Sequence, residues 1–150
     1  MKITVTKDYE VIAKLNEPVQ NLHADLYPDR FKRFAYEPVR DFVMGMMHDP
    51  NSVFLLLEDE GPLGYAWIEF RTYQESLFRK AYQSVYVHQI SVSVQHKGYG
   101  SALMNHIYEM ARSRGIGRVE LDYWCDNSVA KEFYRKQGFV KYRELVYKEV

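Results

Sequence analysis

The chain has 150 residues, 47% of them apolar and 27% charged, enough for a substantial core and ordinary for a globular fold. Lys plus Arg equals Asp plus Glu at 20 each, so the composition gives no support to nucleic acid as the main partner. A single cysteine, Cys125, excludes an intrachain disulfide and a cysteine-rich metal site, and no apolar run approaches the roughly 20 residues that a bilayer-spanning helix needs. Met1–Thr6 alternates like a strand and lacks the long apolar core of a signal peptide, so the expectation is a cytoplasmic protein without membrane partners.

In chain order, Ile3–Lys7 reads as a first strand. Asp8 is placed to cap a helix over Tyr9–Leu26, with Val11, Ile12, Leu15, Val19 and Leu22 on one stripe and Pro18 as a point of division. After a loop at Leu26–Phe31, a second helix covers Val39–Met47 and stops before Pro50. Ser52–Glu58 and Leu63–Arg71 form a hairpin around Glu60-Gly61-Pro62, and Thr72–Tyr82 fits a loop or a short helix. A strand from Val85 to near Val94 leads into a helix at Gly98–Ser113, whose Leu103, Ile107, Met110 and Ala111 share a face and which Gly115 ends. Arg118–Trp124 is another strand. Asn127 or Ser128 then caps a helix bearing Val129, Ala130, Phe133 and Tyr134, closed by Gly138. Phe139–Tyr142 and Glu144–Glu149 read as two short closing strands. With no repeat or linker, the expectation is one domain over residues 1–150, an α/β (α+β) fold with a mixed sheet and helices on both faces.

The most informative segment is Gln95-His96-Lys97-Gly98-Tyr99-Gly100-Ser101, a glycine-containing turn between a strand and a helix. Such a turn aims several backbone N–H groups at one spot, where the helix dipole adds to their field, and Lys97 and His96 bring positive charge. This arrangement binds an anion such as phosphate, and the same pattern also builds ordinary turns. It is not a P-loop, because the Gly-Lys-Ser/Thr ending is missing. It is not a dinucleotide fingerprint either, because the third glycine would fall at Leu103.

Three features in order resemble the GNAT superfamily of N-acetyltransferases. They are Gln95-x-x-Gly98-x-Gly100 between strand and helix, the strand Val119-Glu120-Leu121-Asp122, and Asn127-Ser128-x-Ala130-x-x-Phe133-Tyr134-x-x-x-Gly138-Phe139. The specific match covers roughly residues 85–140. The resemblance implies an acetyl-CoA-dependent N-acetyltransferase with a mostly antiparallel sheet and splayed central strands, moving acetyl directly to a primary amine. Acetyl-CoA is the implied acyl donor. Its pyrophosphate would lie on Gln95, His96, Lys97, Gly98, Tyr99, Gly100 and Ser101, and its pantetheine arm along Gln89, Ile90 and Val92, with Asn127 and Tyr134 beside it. The family often has a proline near Val92, which this chain lacks.

By the same resemblance Tyr134 is the general acid, and Asp122 takes the place of a base. His88 and Glu69 are the second and third candidates for that base. Each also has a structural reading: Tyr134 as a core aromatic, Asp122 as a charge at the strand edge, His88 as a hydrogen-bonded strand residue. Tyr27, Phe31, Phe34, Tyr36, Tyr73 and Tyr82 fall in segments that wall the acceptor pocket in the family. Asp25, Asp29, Glu37 and Glu75 either attract a cationic amine or are ordinary surface charges. His88, His96 and His106 share no face, and Glu120 with Asp122 lacks histidine partners, so no metal is expected. The acceptor amine is left open, and a homodimer is compatible with the reading. The alternatives are a donor other than acetyl-CoA, or a non-catalytic CoA-binding sensor on the same fold.

Overall fold

The computed structural model describes all 150 residues. Five strands, β1 (Lys2–Val5), β2 (Ser52–Glu58), β3 (Pro62–Tyr73), β4 (Tyr82–Val92) and β5 (Val119–Leu121), form one sheet in sequence order. The first four are antiparallel, and β5 joins β4 in parallel. Five helices accompany them: α1 (Tyr9–Leu15), α2 (Glu17–Leu26), α3 (Tyr36–Met46), α4 (Tyr99–Ser113) and α5 (Ser128–Lys136). The sheet is mixed and mostly antiparallel, as expected. None of the helices is long and apolar enough to cross a membrane.

The two sheet faces carry separate cores. Leu55, Leu57, Ala66, Ile68, Val85 and Val87 pack against Leu103, Met104, Ile107 and Ala111 of α4, and Tyr134 of α5 joins this cluster. On the other face Phe54, Leu56, Tyr65 and Trp67 pack against Ile12 of α1 and Val43 of α3. From Tyr65 to Phe70 the alternation along β3 sorts its core residues, Tyr65 and Trp67 to α1–α3 and Ala66, Ile68 and Phe70 to α4.

Local chemistry sets the boundaries. Asp8 Oδ1 accepts from the Val11 N–H at 3.1 Å and caps α1. The predicted Tyr9–Leu26 helix is divided at Asn16, because Pro18 has no N–H to continue the ladder; Gln20 N resumes it on Asn16 O at 3.0 Å. Gly115 and Gly138 both have positive φ, 69° and 88°. In each case the following residue, Ile116 or Phe139, donates back into the last helical turn, to Ala111 O at 2.9 Å and Tyr134 O at 3.1 Å.

Two strand expectations fail. β5 covers only Val119–Leu121 rather than Arg118–Trp124, since its register with β4 is confined to Val85–Val87. The closing strands at Phe139–Tyr142 and Glu144–Glu149 do not form: residues 139–150 hold no strand, and Val140, Tyr142, Leu145 and Val146 are exposed. Their alternating pattern is strand-like, but a strand needs a partner ladder, and β5 presents only three residues.

Candidate active site

At the end of β4 the chain turns into α4 through a loop with two left-handed residues, His96 at φ 61° and Gly98 at φ 79°. Gly98 is the N-cap of α4 and no side chain caps the helix. Ala102 N bonds Gly98 O at 2.9 Å, while the N–H groups from His96 to Ser101 have no acceptor within the protein. The left-handed turns gather these amides into an anion-binding concavity at the positive end of a 15-residue helix. Gln95, His96 and Lys97 are exposed around it. Tyr99 ties the loop to the β2–β3 turn through Asp59 at 3.1 Å.

The two glycines have different reasons. Gly98 needs its backbone freedom, with nothing within 4 Å of a would-be Cβ. Gly100 instead faces Phe133, whose ring would lie 3.2 Å from an added Cβ, so its lack of a side chain admits the close α4–α5 packing. Gly98→Ala is therefore expected to cost about 1 kcal/mol in stability and to weaken binding of a phosphate-bearing ligand, because alanine is strained in the left-handed conformation that aims the amides. Thermal melting and ligand titration check both parts.

Beside the loop lies the gap between β4 and β5. The β3–β4 register slips by one residue: Trp67 faces Gln89 while Ile68 faces Val87, leaving His88 as the extra residue of a bulge. The bulge inverts the side-chain parity of β4. Val85 and Val87 face the α4 core before it, and Ile90 and Val92 pack there after it, while His88 and Gln89 both face α1–α3. The N–H groups invert too. Val85 N donates to Arg118 O on the β5 side, whereas Ser93 N donates to Leu63 O on the β3 side. Alternation then directs the Ile90 and Val92 N–H groups toward the side that β5 has left.

Tyr134 of α5 is 7% exposed and belongs to the same core cluster as Ile90 and Val92. Its ring stacks on Tyr123 at 5.9 Å and meets Phe139 edge-on at 5.5 Å. Burial, with the nearby Tyr108 and Asp122 adding, pushes the Tyr134 phenol above its ordinary pKa, so it keeps its proton at neutral pH. Asn127 Oδ1 accepts from Ala130 N at 3.2 Å and caps α5, fixing the turn that carries Tyr134.

Asp122, just beyond β5, is exposed and accepts a 2.7 Å hydrogen bond from the Tyr86 hydroxyl. His88 bonds Glu69 at 2.9 Å through Nε2, stacks on Trp67 at 4.1 Å and meets the Tyr86 ring edge-on at 4.8 Å. Arg71 bonds Glu69 at 2.8 Å and lies 3.9 Å over the Tyr86 ring. The three candidate bases therefore belong to one cluster, with Tyr86 between His88 and Asp122. Burial alone would raise the Glu69 pKa, but the hydrogen bonds and charges of Arg71 and His88 outweigh it and leave it below the ordinary value. A depressed carboxylate stabilises the fold above its unfolded pKa, near ~4.3, and loses that contribution as pH falls through the lower folded value. Glu69→Gln should thus lower the melting temperature at pH 7, and the difference should narrow below about pH 4.

On the α1–α3 face a cavity of about 320 Å³ opens above Gln89, walled by Ile12, Val39, Phe42, Val43 and Trp67. Its floor is polar. The Tyr65 hydroxyl, fully buried, donates to Gln89 Oε1 at 2.7 Å and accepts from Asn16 Nδ2 at 3.0 Å. Sequence reasoning missed Asn16 and Tyr65; an asparagine among apolar helical residues just before Pro18 is a signal that could have found Asn16, and none singles out Tyr65 on β3. A larger recess of about 500 Å³ lies at the other end of β3–β4, beside Tyr73, Tyr82 and Gly115, remote from the α4 N-terminus. Tyr73 and Tyr82 stack on each other there at 4.4 Å and do not wall the cavity, and Tyr27 and Phe31 pack on Trp124 instead. Asp25, Asp29, Glu37 and Glu75 line neither space.

Among solved structures, a tetramutant of the BH1408 protein from Bacillus halodurans is similar at 20% identity and a TM-score of 0.94, over 100% of both chains. The apo aminoglycoside antibiotic 6'-N-acetyltransferase AAC(6')-IG from Acinetobacter haemolyticus is similar at 12% identity and a TM-score of 0.73, covering 100% of this chain and 98% of that one. The aminoglycoside N-acetyltransferase AAC(6')-Iy, solved in complex with CoA, is similar at 12% identity and a TM-score of 0.69, covering 99% of this chain and 93% of that one. These likenesses are of fold. No curated protein matches. The model of the acetyltransferase (GNAT) family matches residues 16–139, a span that runs from the cavity floor at Asn16 through the loop and gap to Phe139 against Tyr134. The chain belongs to the acetyltransferase (GNAT) family.

Proposed function

We propose that the protein is an acetyl-CoA-dependent N-acetyltransferase acting on a primary amine by direct transfer. The observation that carries the reading is the set of unbonded amides at the α4 N-terminus, next to the end of β4, whose Ile90 and Val92 pack in the same cluster as Tyr134. The CoA found in AAC(6')-Iy on the same fold supports the donor. Acetyl-CoA supplies a thioester whose carbonyl the amine nitrogen attacks.

The residues divide the work as follows. The amides of His96 to Ser101, with Lys97 nearby, hold the pyrophosphate. The Ile90 N–H, with no β5 partner beside it, donates to the carbonyl oxygen as that oxygen gains charge. Asp122, one oxygen held by Tyr86, takes the proton from the ammonium form of the acceptor. This removal is needed because an alkylammonium with a pKa near ~10.4 is almost wholly protonated at pH 7. Tyr134, protonated at neutral pH, gives its proton to the departing sulfur, and its phenolate takes the second proton that the attacking nitrogen loses as the amide forms. His88, paired with Glu69, is the second candidate for the base, because its ring stacks on Trp67 at the cavity wall.

The test is release of free thiol from acetyl-CoA across a panel of amines, with succinyl-CoA as a comparison donor. Amine-dependent release from acetyl-CoA is expected. If no amine promotes release while CoA still binds, the protein is a CoA-binding sensor rather than an enzyme.

A further inference from the structure

Resting on the acetyltransferase reading, we infer that the cavity above Asn16, Tyr65 and Gln89 selects an acceptor with an apolar, uncharged body, an arylalkyl or alkyl monoamine, and turns away polycations. The charge pattern carries this first. None of the ten residues lining the cavity is charged. A polycationic body would lose water on entering without a carboxylate to replace it, whereas an aromatic or aliphatic body would bury apolar surface against Phe42, Val39 and Trp67. At about 320 Å³ the cavity lies at the low end for small-molecule sites, with room for a ring and a short chain but not for a multi-ring sugar.

The floor adds a second preference. Asn16, 4% exposed, spends its Nδ2 hydrogens on Tyr65 at 3.0 Å and Gln89 at 3.4 Å, leaving Oδ1 without a protein partner. Gln89 receives the Tyr65 hydroxyl on Oε1, leaving its Nε2 without one. Tyr65 thereby fixes both amides, and the pair left over is one acceptor and one donor. That pair suits a neutral hydroxyl or carboxamide on the acceptor. The position is close to the proposed chemistry: Gln89 on the floor is flanked by Ile90 and by His88, whose ring stacks on Trp67 of the cavity wall.

The test measures kcat/KM for phenethylamine, tyramine, spermidine and kanamycin with acetyl-CoA, in the wild type and in Phe42→Glu. Phe42 is 51% exposed at the cavity rim, so the variant should fold, and it places a carboxylate where none exists. The monoamines should exceed spermidine and kanamycin by ~10-fold or more in the wild type. Phe42→Glu should narrow or reverse that ratio, chiefly through KM. Preference for spermidine or kanamycin in the wild type, or a ratio unmoved by Phe42→Glu, overturns the inference. If no amine releases thiol, the acetyltransferase reading fails, and calorimetric binding of phenethylamine against spermidine to the CoA-saturated protein still decides the cavity's preference.

Discussion

Tyr134→Phe is expected to lower kcat by ~10²-fold while leaving CoA affinity nearly unchanged. The substitution keeps the ring that stacks on Tyr123 and Phe139, so the α5 packing survives. It removes only the hydroxyl, whose pKa is raised by burial, with Tyr108 and Asp122 adding to the shift. A packing tyrosine would give a different result: a lower melting temperature and a change in kcat of a few-fold at most. Single-turnover kinetics with acetyl-CoA, alongside calorimetric titration of CoA, separate the two roles.

The second large effect is on the base. Asp122→Asn preserves shape and can still accept the Tyr86 hydroxyl, but it removes the carboxylate. The rate at pH 7 should fall by ~10²-fold. The deficit should then shrink as pH rises toward ~10, where the amine loses its proton unaided. If the pattern appears instead in His88→Gln, with Asp122→Asn near wild type throughout, the base is His88. The Tyr86 ring lies between the two residues, so Tyr86→Phe should leave the assignment intact while disturbing whichever carboxylate or imidazole depends on it.

The fold was legible wherever local chemistry decides it. The Asp8 cap, the hairpin at Glu60-Gly61-Pro62, the positive-φ glycines at 115 and 138 and the α4 stripe through Leu103, Ile107 and Ala111 all follow from neighbours in sequence. The failures lie where distant pairing decides. Residues 139–150 carry a strand-like pattern but find no ladder, and β5 is cut to three residues by its limited register with β4. The site divides the same way. The loop at residues 95–101 and Tyr134 are set by contiguous motifs. The bulge at His88, which aims Ile90 and Val92 into the gap, depends on a one-residue slip against Trp67 and Ile68 that no local pattern encodes. Gly100 adds a long-range constraint that no local pattern encodes: the space beside it is taken up by Phe133 from α5, 33 residues along the chain.

The central claim is that the amides at the α4 N-terminus hold CoA, and isothermal titration of CoA into wild-type protein and Gly98→Ala tests it most directly. The account predicts saturable binding to the wild type, a raised melting temperature in the presence of CoA, and weaker binding to Gly98→Ala. Absence of any heat of binding to the folded wild-type protein at millimolar CoA would contradict it.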